Sequence, residues 1–250
     1  MTAYEFHLRG LEYHRLGGIT NANSREALTW FRRAIEADPS FARPYAMLTC
    51  AWSHLSDFDL AEGIRHVERA LELDPNDPEA NRIMGSIKMG AGEFEASRHC
   101  HEKAMALSPS DAYIKGRSAA FYVFAGEPER ALELLDEAEK LDPFLPVWCI
   151  EERIAALYVL GRFEEAAAAG RTLPFQTRRS RLYRAASHVA LGNLDRARQI
   201  VSEALAAAPD LTIHYIQQSE SYRDRSVKGL LIDRLVESGL PRLTVVAQAS

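Results

Sequence analysis

Three side chains that can bind metals are adjacent in the sequence at His99, Cys100 and His101. Imidazole nitrogens and thiolates are common zinc ligands, and His101-Glu102 begins like the HExxH motif of zinc proteases. That motif is incomplete because residue 105 is a methionine. Residues i and i+2 of a helix point about 200° apart, so His99 and His101 should not reach one ion. We therefore predict that His101 is a core residue and that the chain has no metal site.

Other signatures of catalysis are absent from the sequence. There is no phosphate-binding GxxxxGK[ST], no dinucleotide-binding GxGxxG and no nucleophile elbow GxSxG. Enzymes of these classes need such residues at fixed spacing to hold a phosphate or activate a serine. The sequence therefore predicts that the protein is not an enzyme and binds no cofactor.

Positive charge is concentrated in one stretch, residues 171–184, which contains no acidic residue. One interpretation is a solvated surface whose arginines pair with the acids Glu133, Asp136 and Glu137. The other is a binding site for an anionic partner segment or a phosphate. The arginines of this stretch are Arg171, Arg178, Arg179, Arg181 and Arg184.

Composition excludes several classes of partner. The 250 residues carry a formal net charge of −5 with a pI near 5.9, so no positive field favours nucleic acid. No segment reaches the roughly 18 apolar residues of a membrane span, and the opening MTAYEFHLRG has no apolar signal-peptide core. Three cysteines without a CxxC pair are typical of a reducing compartment. These features predict a cytoplasmic protein without nucleic-acid or membrane partners.

Prolines end helical segments at a regular interval. They occur at Pro39, Pro75, Pro109 and Pro143, with intervals of 36, 34 and 34 residues, and again at Pro209. A helix usually ends at or before the residue preceding a proline. A breaker that returns at this period indicates a repeat array.

A second pattern lies upstream of each of these prolines. A small residue is followed after four positions by a larger one, after three more by alanine, and after five more by proline. Spacings of four and three keep one helix face, and small residues there allow close helix packing. The four positions are Ala27-Phe31-Ala34-Pro39, Gly63-Val67-Ala70-Pro75, Ser97-His101-Ala104-Pro109, Ala131-Leu135-Ala138-Pro143 and Ala197-Val201-Ala204-Pro209. Glycines five residues earlier, at 92, 126, 161 and 192, mark the end of a preceding helix.

This unit of helix, turn, helix and proline resembles the tetratricopeptide repeat. The resemblance implies an all-α fold, an α-α superhelix of about six helix-turn-helix repeats with a C-terminal helical cap. It covers residues 1–209, with an enlarged turn expected at Leu16–Ser24 and a second helix of repeat five that stops early at Pro174. The expected repeats are 3–39, 42–75, 78–109, 112–143, 146–173 and 178–209, followed by capping helices in 210–241 and a tail at 242–250.

The end of the chain, YRDRSVKGLLIDRLVESGLP, is similar to a narrower group. It resembles the C-terminal repeat region of bacterial regulators that carry a class III adenylate cyclase domain or a winged-helix DNA-binding domain. This resemblance implies a regulatory or partner-binding region. The catalytic or DNA-binding domain of those regulators is not expected within this sequence, because Tyr4 already belongs to the first repeat.

In this fold the first helix of every repeat lines the concave face, which is the usual binding groove. Aromatic residues, methionine and arginine are enriched at recognition surfaces, although any of these side chains could instead pack against the next repeat. The same mapping places His14, Cys50 and His54 on this face. The partner-binding candidates are Tyr4, His7, Met47, Arg82, Tyr113, Arg117, Phe124, Trp148, Tyr158, Arg179 and Tyr183.

The leading functional hypothesis is a non-enzymatic scaffold that binds a peptide or helix of a protein partner. Arg178 and Arg179 are expected near the mouth of the groove, facing Trp148 and Tyr158, where they would favour an acidic partner. The alternatives are a sensory, ligand-binding module of a cyclase-type or winged-helix-type regulator, and a module for homodimerisation through the irregular fifth repeat.

Overall fold

The computed structural model describes residues 1–16 and 20–242, and all regular structure in these residues is helical. They form fourteen α-helices and one π-helical turn, Glu12–Leu16. The helices are α1 (Ala3–Leu11), α2 (Asn21–Ala37), α3 (Ala42–Trp52), α4 (Leu60–Leu73), α5 (Pro78–Gly90), α6 (Phe94–Leu107), α7 (Ala112–Ala125), α8 (Pro128–Leu141), α9 (Val147–Val159), α10 (Phe163–Ala169), α11 (Arg178–Ala190), α12 (Leu194–Ala207), α13 (Ile213–Ser219) and α14 (Arg225–Glu237).

The chain divides into two compact units, Met1–Pro109 and Ser110–Ser250. In the N-terminal unit, α1 packs on α2, α3 on α4 and α5 on α6, and these hairpins are stacked through α2 on α3, α3 on α5 and α4 on α5. In the C-terminal unit, α7 packs on α8, α9 on α10 and α11 on α12, while α14 covers α11. The predicted fold class, stacked helical hairpins with a helical cap, is confirmed.

The repeated small, large and alanine positions form the core of each hairpin, as predicted. Phe31, Val67 and Leu135 are completely buried, and so are the alanines that follow them by three residues. His101 occupies the same large position in the third hairpin and is 1% exposed. The prediction that His101 is a core residue is therefore confirmed.

In the first and third hairpins the two helices approach closely because a glycine on the first helix stands opposite the large residue of the second. A Cβ atom at Gly85 would lie 2.8 Å from the His101 ring, and one at Gly10 would overlap the ring of Phe31. The contact at Gly85 is reinforced because the Ser97 hydroxyl donates a hydrogen bond to the Gly85 carbonyl at 2.7 Å.

Helix ends follow the sequence signals. The backbone N–H of Asp38 donates to the carbonyl of Ala34, and Asp74 and Asp142 repeat this bond to the alanine four residues earlier. The following proline has no N–H with which to continue the helix. Gly92, Gly126, Gly161 and Gly192 have φ between 73° and 90°, the left-handed conformation expected at the end of a first helix.

Two segments differ from the sequence-based expectations, and a third lies mostly outside the described residues. Helix α2 begins at Asn21, capped by Thr20, so the expected turn Leu16–Ser24 is shorter than predicted; residues 17–19 lie outside the described part. Helix α10 ends at Ala169, five residues before Pro174. Of the expected tail, residues 243–250 lie outside the described part.

We expect Gly10→Ala to destabilise the protein by about 1–3 kcal/mol, because the new methyl group must displace the Phe31 ring. Gly90→Ala is the matched control, since nothing lies within 4 Å of its Cβ position in the same unit. That change should stabilise by up to about 1 kcal/mol through helix propensity. Urea denaturation followed by circular dichroism measures both, and equal effects would contradict the close packing at Gly10.

We expect stability to fall with acid as His7 and His101 become protonated. Burial lowers the pKa of His7 to about 4 and of His101 to about 3, below the value near 6.5 in an unfolded chain. Their contribution is thus complete above pH 6.5 and is lost below it, at about 1.4 kcal/mol per pH unit for each group.

His101→Leu tests this dependence, because leucine occupies the equivalent position at Leu135. Between pH 7.5 and pH 5 the variant should lose about 2 kcal/mol less than the wild type, as measured by denaturant midpoints. Identical losses would show that His101 does not titrate on unfolding.

Candidate partner-binding surfaces

Most of the predicted partner-binding residues are inside the protein. Six of them are at most 5% exposed and therefore follow the packing interpretation: His7, Met47, Arg82, Phe124, Tyr158 and Tyr183. Tyr4 is 61% exposed, and Tyr113, Arg117 and Trp148 are partly exposed. These six positions follow the alternative left open by the sequence, because side chains on one helix face also fill the space between neighbouring hairpins; partner binding by the remaining candidates stays a prediction.

Arg179 lies in a buried network of the C-terminal unit, with its side chain only 13% exposed. Its Nε donates to Glu220 Oε1 at 2.8 Å and its Nη2 to Oε2 at 3.1 Å. A second ion pair joins its Nη1 to Glu152 Oε1 at 2.9 Å. The expectation that Arg179 lies at the mouth of a binding groove is wrong, because two carboxylates of the same chain already occupy its guanidinium.

Two tyrosines complete this buried network. The Tyr183 hydroxyl donates to Glu220 Oε2 at 2.5 Å and lies 2.6 Å from the hydroxyl of Tyr222. Burial raises the pKa of both tyrosines, so both stay neutral. Burial also raises the pKa of Glu152, against the opposing charge of Arg179. The network ties α9 and α11 to the segment that follows α13.

The other arginines of the 171–184 stretch are divided between surface and interior. Arg171 and Arg178 are exposed, whereas Arg184 is buried and its Nη1 donates to Gln176 Oε1 at 2.6 Å. The acids expected to pair with them form ion pairs with other residues: Glu133 and Glu137 with Arg130, Glu137 also with Lys115, and Asp136 with Arg153.

The structure brings three of the partly exposed candidates together in the C-terminal unit. The Arg117 guanidinium carbon lies 4.0 Å from the centre of the Trp148 ring and 5.5 Å from that of Tyr113. The two aromatic rings meet edge to face with centroids 5.3 Å apart. Gly116 permits this approach, because a Cβ there would lie 3.2 Å from Trp148 and 2.8 Å from Cys149 Sγ. We name Tyr113, Arg117 and Trp148 the aromatic–arginine cluster.

The N-terminal unit contains an open pocket of about 530 Å³. Its apolar side comes from α1, where Tyr4 and Leu8 are 61% and 45% exposed. The opposite side is made by residues at the ends of α2 and α4 and the starts of α3 and α5. We name this cavity the α1 pocket; its lining is Tyr4, His7, Leu8, Leu11, Asp38, Ser40, Phe41, Ala42, Arg43, Asp74 and Asp77.

The α1 pocket has an acidic rim and a neutral floor. Hydrogen bonds from Ser40 lower the pKa of Asp38, and Asp74 is exposed. Arg43 is the one cation in the lining, and its Nε binds Asp77 Oδ2 at 2.7 Å. His7 is neutral at pH 7 because burial lowers its pKa to about 4. The rim therefore attracts positive charge.

Sequence reasoning found Tyr4 and His7 but missed Leu8 and the aspartates of this pocket. The signal was available, because Asp38 and Asp74 belong to the recurring Asp-Pro helix endings. Those endings were considered only as helix breakers. The structure places successive endings beside α1, where their carboxylates define one rim.

One group of three potential metal-binding side chains converges within the described residues, and it is not the sequence triplet His99-Cys100-His101. Ligand atoms of His14, Cys50 and His54 all lie within 4.8 Å of one another. His101, in contrast, is enclosed in the hairpin core.

Comparison with solved structures identifies the fold as that of tetratricopeptide repeat proteins. A tetratricopeptide repeat protein from Parabacteroides merdae matches with a TM-score of 0.55 at 13% identity, over 94% of this chain and 98% of that chain. The Cut9–Hcn1 hetero-tetramer of APC/C matches with a TM-score of 0.66 at 15% identity, over 94% of this chain and 43% of that chain. At sequence identities this low, the similarity shows the fold alone.

In sequence, the chain is similar to the transcriptional regulator HilA of Salmonella typhimurium. The two are 30% identical over 144 residues, which cover 55% of this chain and 26% of HilA. The chain thus spans about a quarter of the length of this curated relative. No protein-family model matches the chain. Among the described residues no helix is both long and apolar enough to cross a membrane.

We expect Glu220→Ala to destabilise the C-terminal unit by about 3–5 kcal/mol, because it leaves Arg179 buried with one of its two carboxylates. Glu133→Ala is the control, since its ion pair with Arg130 is exposed and worth at most about 1 kcal/mol. Denaturant unfolding followed by circular dichroism measures both variants. Similar midpoints for the two would contradict the burial of this network.

Proposed function

We propose that the chain is a non-enzymatic interaction module whose α1 pocket binds a segment of a protein partner. The observation that carries this proposal is the α1 pocket itself, in which exposed Tyr4 and Leu8 stand opposite the carboxylates of half-buried Asp38 and exposed Asp74. Exposed aromatic and aliphatic side chains in a concavity are typical of recognition sites.

The chemistry of the pocket selects the kind of segment. An apolar side chain would bury against Tyr4, Leu8 and Leu11, while a lysine or arginine would lie beside Asp38 and Asp74. An acidic segment would instead be repelled by these two carboxylates. We therefore propose a partner segment that combines an apolar anchor with a basic residue.

A second candidate site is the aromatic–arginine cluster, which supports the acidic partner expected from the sequence. The support is the Arg117 guanidinium, whose carbon lies 4.0 Å from the centre of the Trp148 ring, because arginine beside aromatic rings suits a carboxylate-bearing partner. This site differs from the α1 pocket in the sign of the charge it would select, and the two are therefore separable by experiment.

We also propose a regulatory role, as part of a transcriptional regulator. The support is the sequence similarity to HilA, a transcriptional regulator of which the matched region covers 26%. The cyclase resemblance has no counterpart in the comparisons reported above, so a regulator of transcription is the preferred context. The module would bind a protein partner in the cytoplasm, and this binding would regulate a domain attached to the module.

The proposal is tested by selecting peptides from a random phage-displayed library on the purified full chain. Peptides with an apolar residue next to lysine or arginine should be enriched. In fluorescence anisotropy, Tyr4→Ala and Leu8→Ser should each weaken their binding by about tenfold, equivalent to about 1.4 kcal/mol. Added salt should also weaken binding, because the rim is exposed.

Phe144→Ala is the matched control, because this aromatic residue is 89% exposed and lies in the other unit. It should bind the selected peptides like the wild type. The opposite result would be enrichment of acidic peptides whose binding is lost in Trp148→Ala and kept in Tyr4→Ala. That result would assign binding to the aromatic–arginine cluster and refute the α1 pocket.

A further inference from the structure

In the N-terminal unit, two histidines and one cysteine from two segments come close together, and all three side chains are of types that bind metal ions. Cys50 is in α3, His54 follows the end of that helix, and His14 is in the π-helical turn after α1. Their candidate ligand atoms lie within 4.8 Å of one another. The imidazole rings of His14 and His54 are stacked, with centroids 5.9 Å apart and planes inclined by 28°.

The local structure explains this convergence. Cys50 and His54 are four residues apart, and residues at i and i+4 of a helix lie one above the other on the same face. Ser53 keeps α-helical dihedrals of φ −59° and ψ −13°, so the helical path continues beyond Trp52 toward His54. The π-helical turn Glu12–Leu16 places His14 opposite that face.

His14 supplies an independent sign of a missing ligand. His14 is only 6% exposed, and its Nε2 is buried without a hydrogen-bond partner among the described residues. A buried polar atom without a partner costs about 1–3 kcal/mol, and such atoms are rare in folded proteins. A metal ion bound to this imidazole would remove the deficit.

The sulfur of Cys50 contacts a guanidinium. Arg82 Nη2 donates to Cys50 Sγ at 3.6 Å, so a positive charge stands beside the sulfur. Arg82 also binds Glu79 at 2.8 Å, and Arg15 forms an ion pair with the same carboxylate. The guanidinium of Arg82 is therefore held in place next to the thiol by a buried acid.

We propose that His14, Cys50 and His54 bind one zinc ion through two imidazole nitrogens and one thiolate. Zinc prefers nitrogen and sulfur ligands at about 2.1 Å and 2.3 Å, which places tetrahedral ligand atoms about 3.5 Å apart. The ligand atoms, which lie within 4.8 Å of one another, would have to move closer together to reach this spacing. Cys50 releases its proton to solvent when it binds, and water or an anion takes the fourth position.

The proposed ion would link the first hairpin to the second, because His14 and Cys50 come from different repeats. It goes beyond the peptide-binding function, since none of its ligands lines the α1 pocket. It also departs from the sequence-based expectation of no metal site, which was argued for the triplet at residues 99–101.

Cobalt titration of the full chain, stripped of metal with a chelator and kept reduced, tests the proposal. One equivalent of Co²⁺ should give a thiolate-to-cobalt charge-transfer band and the intense visible bands of four-coordinate cobalt, and Zn²⁺ should displace it. Cys50→Ser should remove the charge-transfer band, and His54→Ala should weaken cobalt binding by about tenfold or more.

Cys100→Ser and His99→Ala are the matched controls, because they change the same residue types in the same unit outside the cluster. Both should retain the wild-type cobalt spectrum. Circular dichroism verifies that Cys50→Ser, an isosteric change, is folded. Absence of stoichiometric cobalt binding by the wild type, or a charge-transfer band that survives Cys50→Ser, would overturn the assignment.

Discussion

The close contact between the two helices of a hairpin is the constraint on which the rest of the structure depends. At Gly10 and Gly85 a side chain no larger than hydrogen allows the partner helix to insert Phe31 or His101 against the backbone. Once that contact is made, the alanine three residues later is buried and the helix ends at its proline. Each hairpin therefore presents a fixed set of side chains to its neighbours.

The buried ion-pair networks join neighbouring hairpins. In the C-terminal unit, Arg179 stands between Glu152 and Glu220, and Glu220 is completely buried. In the N-terminal unit, Glu79 is buried with Arg82 and Arg15. Such groups are stable only as complete networks, so they define how neighbouring helices are aligned.

The two proposed binding surfaces differ in charge. The α1 pocket combines exposed apolar groups with the carboxylates of Asp38 and Asp74, whereas the aromatic–arginine cluster presents Arg117 on Trp148. A partner can thus be assigned to one surface by its charge alone. The proposed zinc site would act separately, by joining helices from the first two repeats.

The sequence by itself determined the hairpins, their core positions and their ends, since these depend on contacts between residues at most a few turns apart along one repeat. The left-handed glycines and the burial of His101 were predicted for that reason. Only the tertiary structure decided which side chains of the inner helices are exposed. Arg179 and Tyr183 are buried because Glu220 comes from a segment 41 and 37 residues away, which periodicity does not locate. His14, Cys50 and His54 were mapped to one face. Their convergence also depends on a π-helical turn and on the packing of α1 against its neighbours, and neither of these can be read from the spacing of residues in the sequence.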